Sequence, residues 1–169
     1  LLQKSISNAS AQTPTQIKVT ELVNLYRKGQ FVKTVEKAKA LISQIPKNYF
    51  VWYILGEANR QQGKFDTALQ AYKKAISLNP DHLGIYFNMG ISLHAQGRFK
   101  ESVATYKKAI SLRPDYVEAY NSMGISLSAL GKFEEAVTTF KKAISLRPDY
   151  AEVYNNLGIT LHHQKNREE

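Results

Sequence analysis

Four histidines, no cysteine and three pairs of adjacent lysines are the side chains of this 169-residue chain that first invite chemistry. His94 and His162 stand 68 residues apart, two steps of a 34-residue interval, with His163 following directly and Ser128 at the intervening step. Imidazoles two structural units apart cannot share one ion without other ligands between them, so no metal is expected there. The absence of cysteine removes thiol nucleophiles, zinc clusters, iron–sulfur centres and disulfides together. No phosphate-cradling loop or metalloprotease motif occurs, and each carboxylate pair has a helix-cap or surface explanation. The chain is therefore not expected to be an enzyme, and no cofactor is expected. Lys73-Lys74, Lys107-Lys108 and Lys141-Lys142, joined by Arg113 and Arg147, form a basic ladder in a chain of net charge +9, which raises phosphate binding. Yet Asp66, Glu101, Glu134 and Glu135 begin the same segments that the lysines end, an arrangement that complements a helix dipole. No aromatic residue alternates with the lysines to stack on bases, so nucleic acid is a disfavoured partner.

The elements that hold these residues repeat. Pro46, Pro80, Pro114 and Pro148 recur every 34 residues, as do Gly56, Gly90, Gly124, Gly158 and Gly29, Gly63, Gly97, Gly131, so that only Gly84 of the nine glycines stands outside a ladder. A fixed period of this size indicates a stack of like units. The units run over 49–82, 83–116 and 117–150, preceded by a divergent unit over 15–48 and followed by a partial fifth unit or capping helix over 151–169; residues 1–14 read as a polar lead-in or linker. Each unit has a first helix with apolar or small residues at helical spacing (Tyr86, Met89, Gly90, Leu93), then a glycine stop, then a second helix (Phe99, Ser102, Tyr106, Ala109, Leu112) ended by the ladder proline. Asp115 and Asp149, three residues ahead of Glu118 and Glu152, suggest capping boxes at the next helix starts. Gly90 and Gly124 with Ser102 and Ala136 are expected where the two helices cross, and Tyr86 and Tyr120 in the wedge toward the next hairpin. The fold class is all-α: antiparallel helical hairpins stacked as a solenoid, each needing a neighbour to bury its apolar faces.

No run approaches 18 uninterrupted apolar residues, so no membrane span is expected. Leu1 to Thr15 lacks the segments of a signal peptide, and the absence of cysteine is compatible with a reducing compartment, which makes the cytoplasm the expected location.

The run Trp52, Leu55, Gly56, Gly63, Phe65, Ala68, Tyr72, Ala75, Pro80, repeated in register in the next two units, resembles the tetratricopeptide repeat family. The resemblance is good from Tyr49 to about Leu161; in the opening unit Glu21-Leu22 stands where Leu-Gly is expected, so that its first helix is read as rotated or as a cap. A pentatricopeptide array, with a longer unit and other key positions, does not fit. The resemblance implies a right-handed superhelix whose first helices line a concave groove that binds a peptide or protein segment. Carried over by position, the residues expected to contact the partner are Tyr53, Glu57 and Arg60, then Phe87, Asn88, Ile91 and His94, then Asn121, Ser122 and Ile125, then Asn155, Asn156 and Ile159. Phe50, Glu118 and Glu152 share the same face. The isoleucines would form an apolar floor, and the asparagines, with a donor and an acceptor each, suit a grip on peptide backbone.

Two binding modes of the family are tested by position. The basic carboxylate clamp of chaperone-binding members retains only Asn88, its other slots holding Tyr53, Glu57, Glu118 and Ser122. The asparagine ladder of the O-linked N-acetylglucosamine transferase superhelix matches at Asn88 and Asn156 and is interrupted at Ile54 and Ser122. The expected function is a protein-interaction scaffold; the alternative is the substrate-recruiting arm of a larger sulfotransferase, glycosyltransferase or methyltransferase. The last helix carries Lys165 at the turn-glycine slot and has no second helix to cover Leu157 and Leu161, an apolar face open to self-association or to a continuing chain.

Overall fold

The computed structural model describes residues 13–168, which form nine helices and no strand. They are α1 (Pro14–Arg27), α2 (Phe31–Gln44), α3 (Tyr49–Gln61), α4 (Phe65–Leu78), α5 (Leu83–Ala95), α6 (Phe99–Leu112), α7 (Val117–Ala129), α8 (Phe133–Leu146) and α9 (Ala151–Glu168). Odd and even helices pair as hairpins, and each odd helix packs on the even helix before it and beside the previous odd helix. The lead-in read over residues 1–14 lies outside the described residues up to position 12; Thr13 already caps α1, its Oγ1 accepting from Gln16 N while Gln16 Oε1 accepts from Thr13 N.

Every hairpin turns at a glycine in the left-handed region: Gly29, Gly63, Gly97 and Gly131 have φ of 70°, 72°, 72° and 71°. The following residue closes the turn by donating back across it, as Arg98 N does to Leu93 O at 2.9 Å and Lys132 N to Leu127 O at 3.0 Å. The capping boxes expected at Asp115 and Asp149 are not made. Tyr116 is the cap of α7 with no side-chain bond, which puts Glu118 one position too early for the box; its carboxylate instead accepts from Arg147 Nη2 at 2.7 Å. Glu152 likewise turns to Asn121 and Tyr150.

In the hairpins α3–α4, α5–α6 and α7–α8 the helices close on a glycine facing an aromatic ring. A Cβ at Gly56 would lie 2.5 Å from the Tyr72 ring, at Gly90 2.5 Å from Tyr106, and at Gly124 2.6 Å from Phe140. Ala68, Ser102 and Ala136 are fully buried on the same even helices. The opening hairpin reverses the sizes: Leu22 occupies the glycine slot and Ala38 the ring slot, both fully buried in one cluster with Val51 and Leu55. The departure at Glu21-Leu22 is thus compensated on the facing helix, and the contact volume is conserved. Tyr86 and Tyr120 pack between hairpins, whereas Tyr154, Ile159 and Leu161 on α9, with no further helix against them among the described residues, are 47%, 50% and 46% exposed. α9 runs through the expected turn at Lys165, and Arg167 Nη1 ties it back to Gly131 O at 3.0 Å. No helix of the described residues is long and apolar enough to cross a membrane.

Candidate functional site

Helices α3, α5, α7 and α9 lie side by side and present one continuous face, and the residues one 34-residue step apart on them form rows across it. The row Glu57, Ile91, Ile125, Ile159 changes character along the face. Glu57 is only 5% exposed and is the hub of a polar network: Tyr72 Oη donates to its Oε1 at 2.5 Å, Tyr26 Oη to its Oε2 at 3.1 Å, and Arg60 Nη2 to Oε2 at 3.0 Å. Burial, then the neighbouring carboxylate, pushes the Tyr72 hydroxyl far above its ordinary range, and Tyr53 rises for the same two reasons. Burial works against the Arg60 charge, but the bonds and charge of Glu57 outweigh it and hold the guanidinium ionised. The carboxylate and Arg60 thus lie largely within the wall of this face, with little left to offer a ligand.

Asparagines stitch neighbouring odd helices together. Asn88 Nδ2 donates to Tyr53 Oη at 3.0 Å, and Asn156 Nδ2 donates to Asn121 Oδ1 at 3.0 Å. Asn121, 3% exposed, passes its own Nδ2 to Glu152 Oε1 at 3.0 Å. Its whole amide is therefore engaged within the fold. Asn88 and Asn156 are half-buried with an oxygen remaining, and Asn155 is exposed. Phe50, Tyr53 and His82 cluster at one edge with ring centroids 5.2–6.0 Å apart, and Phe87 continues the aromatic strip, 5.0 Å from Tyr116 and 5.9 Å from Tyr106.

Between α5 and α7 a recess of about 190 Å³ opens, lined by Ile91, His94, Tyr106, Ser122 and Ile125. The same slots one unit on, between α7 and α9, form a smaller one of about 90 Å³ walled by Ile125, Ser128, Phe140, Asn156, Ile159 and Thr160. His94 Nδ1 lies 2.9 Å from Ser126 Oγ, and burial lowers the imidazole pKa, so the ring is neutral. Ser126 Oγ also lies 3.0 Å from Ser122 O and 3.2 Å from Ser102 Oγ, so this hydroxyl links the imidazole to α7 and α6. Burial also pushes Tyr106 up to about 12, against bonds from Ser102 and Ser122. Neither recess is lined by a charged side chain.

Tyr53, Phe87, Asn88, Ile91, His94, Ser122, Ile125, Asn156 and Ile159 therefore line this surface or its recesses, with Glu57 and Asn121 sunk beneath it and Arg60 in the wall. Asn155, one step on from the interhelical Asn121, is exposed on α9 and is not brought against the others. Sequence reasoning left out Tyr26, Tyr72, Ser102 and Ser126, which hold this surface from behind. A charged residue in an otherwise isoleucine row, with arginine three positions on, was the signal for the first pair; Ser102 was marked only as a small residue at the helix crossing, and nothing in the sequence marked Ser126. The lysine pairs of α4, α6 and α8 are all solvent-exposed on the even helices, and no three His, Asp or Glu side chains of the described residues come together as a metal site would require.

The tetratricopeptide repeat model matches residues 56–97, 90–131 and 126–165. No curated protein matches the chain. Among solved structures, MamA (residues 41 to the end) from Desulfovibrio magneticus RS-1 shares 18% identity over 92% of this chain and 90% of its own, with a TM-score of 0.83. YrrB, described as a tetratricopeptide repeat protein with an unusual peptide-binding site, gives 18% identity, 89% and 78% coverage and a TM-score of 0.78. The first such domain of Spaghetti (RPAP3), bound to the HSP90 peptide SRMEEVD, gives 25% identity, 68% and 90% coverage and a TM-score of 0.65. With glycine-turned hairpins in register and the family's repeat matched through residues 56–165, the chain belongs to the tetratricopeptide repeat family and folds as its right-handed helical solenoid.

Proposed function

We propose that this chain is a protein-interaction scaffold that binds an extended peptide segment on the face formed by α3, α5, α7 and α9. The observation that carries this reading is the row of Ile91, Ile125 and Ile159, half-buried or exposed at one-unit intervals on that face, flanked by the amides of Asn88 and Asn156. Apolar side chains left open to water in register, with uncharged hydrogen-bonding groups beside them, suit a ligand that offers both side chains and backbone. The peptide bound by the RPAP3 domain shows that a related solenoid accepts such a ligand. That peptide is acidic, however, and this face carries Glu118 and Glu152, so an acidic tail is not the ligand favoured here. The nearest chemistry is recognition rather than bond-breaking.

The test is selection of a phage-displayed random peptide library on the 169-residue chain, followed by titration of the recovered peptides against Ile91→Asp/Ile125→Asp. Affinity should fall at least tenfold while far-ultraviolet circular dichroism keeps its helical signal. Recovered peptides that bind the double variant unchanged would place their site elsewhere and sink the reading.

A further inference from the structure

The two recesses are built from the same slots, yet one is about twice the volume of the other. Four wall positions differ: Ser128 and Phe140 stand in the smaller recess where His94 and Tyr106 stand in the larger, which would widen it, whereas Asn156 in place of Ser122, with Thr160 as an added wall, narrows it. Where Asn156 closes the recess between α7 and α9, Ser122 leaves the one between α5 and α7 open. In the interval before, between α3 and α5, the equivalent slots hold Glu57, Arg60 and Tyr72, the last two both donating to the Glu57 carboxylate. A dry apolar cavity of roughly 150 Å³ holds a benzene ring, so about 190 Å³ admits a phenyl or branched aliphatic side chain, and about 90 Å³ little more than a methyl or hydroxymethyl group.

Spacing adds a second constraint. Packed helices lie roughly 8–10 Å apart. Residues i and i+2 of an extended strand are separated by about 6.6 Å, too short, and i and i+3 of a strand face opposite ways. In a polyproline II segment, with three residues per turn and about 3.1 Å per residue, i and i+3 point the same way and lie about 9.3 Å apart. Charge adds a third. Glu118 is neutralised by Arg147, but the exposed Glu152 accepts only from the uncharged Asn121 and Tyr150, and it begins α9, the helix that walls the smaller recess.

Resting on the scaffold reading above, we infer that the face between α5 and α9 reads a polyproline II segment in which a large uncharged apolar residue fills the Ile91–Ser122–Ile125 recess. A small residue three positions away fills the Ile125–Asn156–Ile159 recess, and a basic residue at that end meets Glu152. Ser122 sets the size of the first side chain and Asn156 that of the second.

The experiment is the same random peptide library selected in parallel on the natural chain, on Ser122→Asn and on Glu152→Gln, each first shown to be folded by circular dichroism. Ser122→Asn places in α7 the residue α5 and α9 already carry at that slot. The natural chain should enrich peptides with Leu, Ile, Met or Phe three positions from Ala, Ser or Gly, and truncating the large residue to Ala should weaken binding roughly ten- to hundredfold. Ser122→Asn should lose that large-residue preference, and Glu152→Gln the enrichment of Lys and Arg. If peptides bind the natural chain and the size preference is absent or survives Ser122→Asn, the recess assignment is overturned while the scaffold reading stands. Survival of the basic preference in Glu152→Gln overturns the role of that carboxylate. If no peptide is enriched on the natural chain, the scaffold reading fails and the inference with it.

Discussion

The two halves of the inner face use the same slots for opposite purposes. Around α1 to α4 the isoleucine slot holds Glu57, and the space between neighbouring hairpins is filled by its bonds to Tyr26, Arg60 and Tyr72. From α5 to α9 the slot holds isoleucine and the space is left as two recesses. A buried ion pair is costly to assemble, since both charges leave water, and it is tolerated only when hydrogen bonds meet the remaining valences. Here they do, so the first half is closed and directional where the second is open and apolar. A repeat protein can in this way keep one backbone period and confine binding to part of its length.

The largest effect that tests this contrast is loss of the carboxylate. Glu57→Ala strands Arg60 and the fully buried Tyr72 hydroxyl, and should cost about 3–5 kcal/mol in denaturant unfolding. Next, Glu57→Ile combined with Tyr72→Phe installs the pair that Ile125 and Phe140 form in the fourth unit, and should recover all but about 1–2 kcal/mol, the remainder being unpaired Arg60 and Tyr26. A double variant as unstable as Glu57→Ala would show that the halves are not interchangeable. Ile125→Ala, at a half-buried wall shared by both recesses, should lower stability by about 1–2 kcal/mol while weakening any recovered peptide at least tenfold, a split that Glu57 variants do not show.

The smallest effect is with pH. Burial lowers the His94 pKa in the folded state, so the contribution of neutral His94 is fully present above the unfolded value near 6.5 and is lost as pH falls from there through the folded pKa. Stability of the natural chain should decline over that window, and His94→Gln should flatten the decline. An unchanged slope would assign the dependence to another group.

The hairpins, their glycine turns and the even-helix rings were legible in the sequence because each rests on contacts within one unit. Gly90 and Tyr106, for example, stand 16 residues apart and recur with the period. Asp115 misled at the local level, since a helix start shifted by one residue is enough to undo a capping box. Leu22 was legible as a departure, but its meaning depended on Ala38 across the hairpin. The inner face was only half legible: its rows could be assigned by position, but not whether each member stood on the surface or under it.

The sequence by itself thus determined the repeat, the hairpin and the family, because these follow from helical periodicity and from glycine and proline at fixed intervals. Only the tertiary structure decided that Glu57 and Asn121 turn inward and that Ser122 leaves a recess open. Those outcomes depend on partners about a unit away, Tyr26 at 31 residues from Glu57 and Asn156 at 35 from Asn121, and on how closely successive helices approach. A residue's type fixes what it can bond to; the approach of the neighbouring helix fixes whether the bond is made inside the fold or left for a partner.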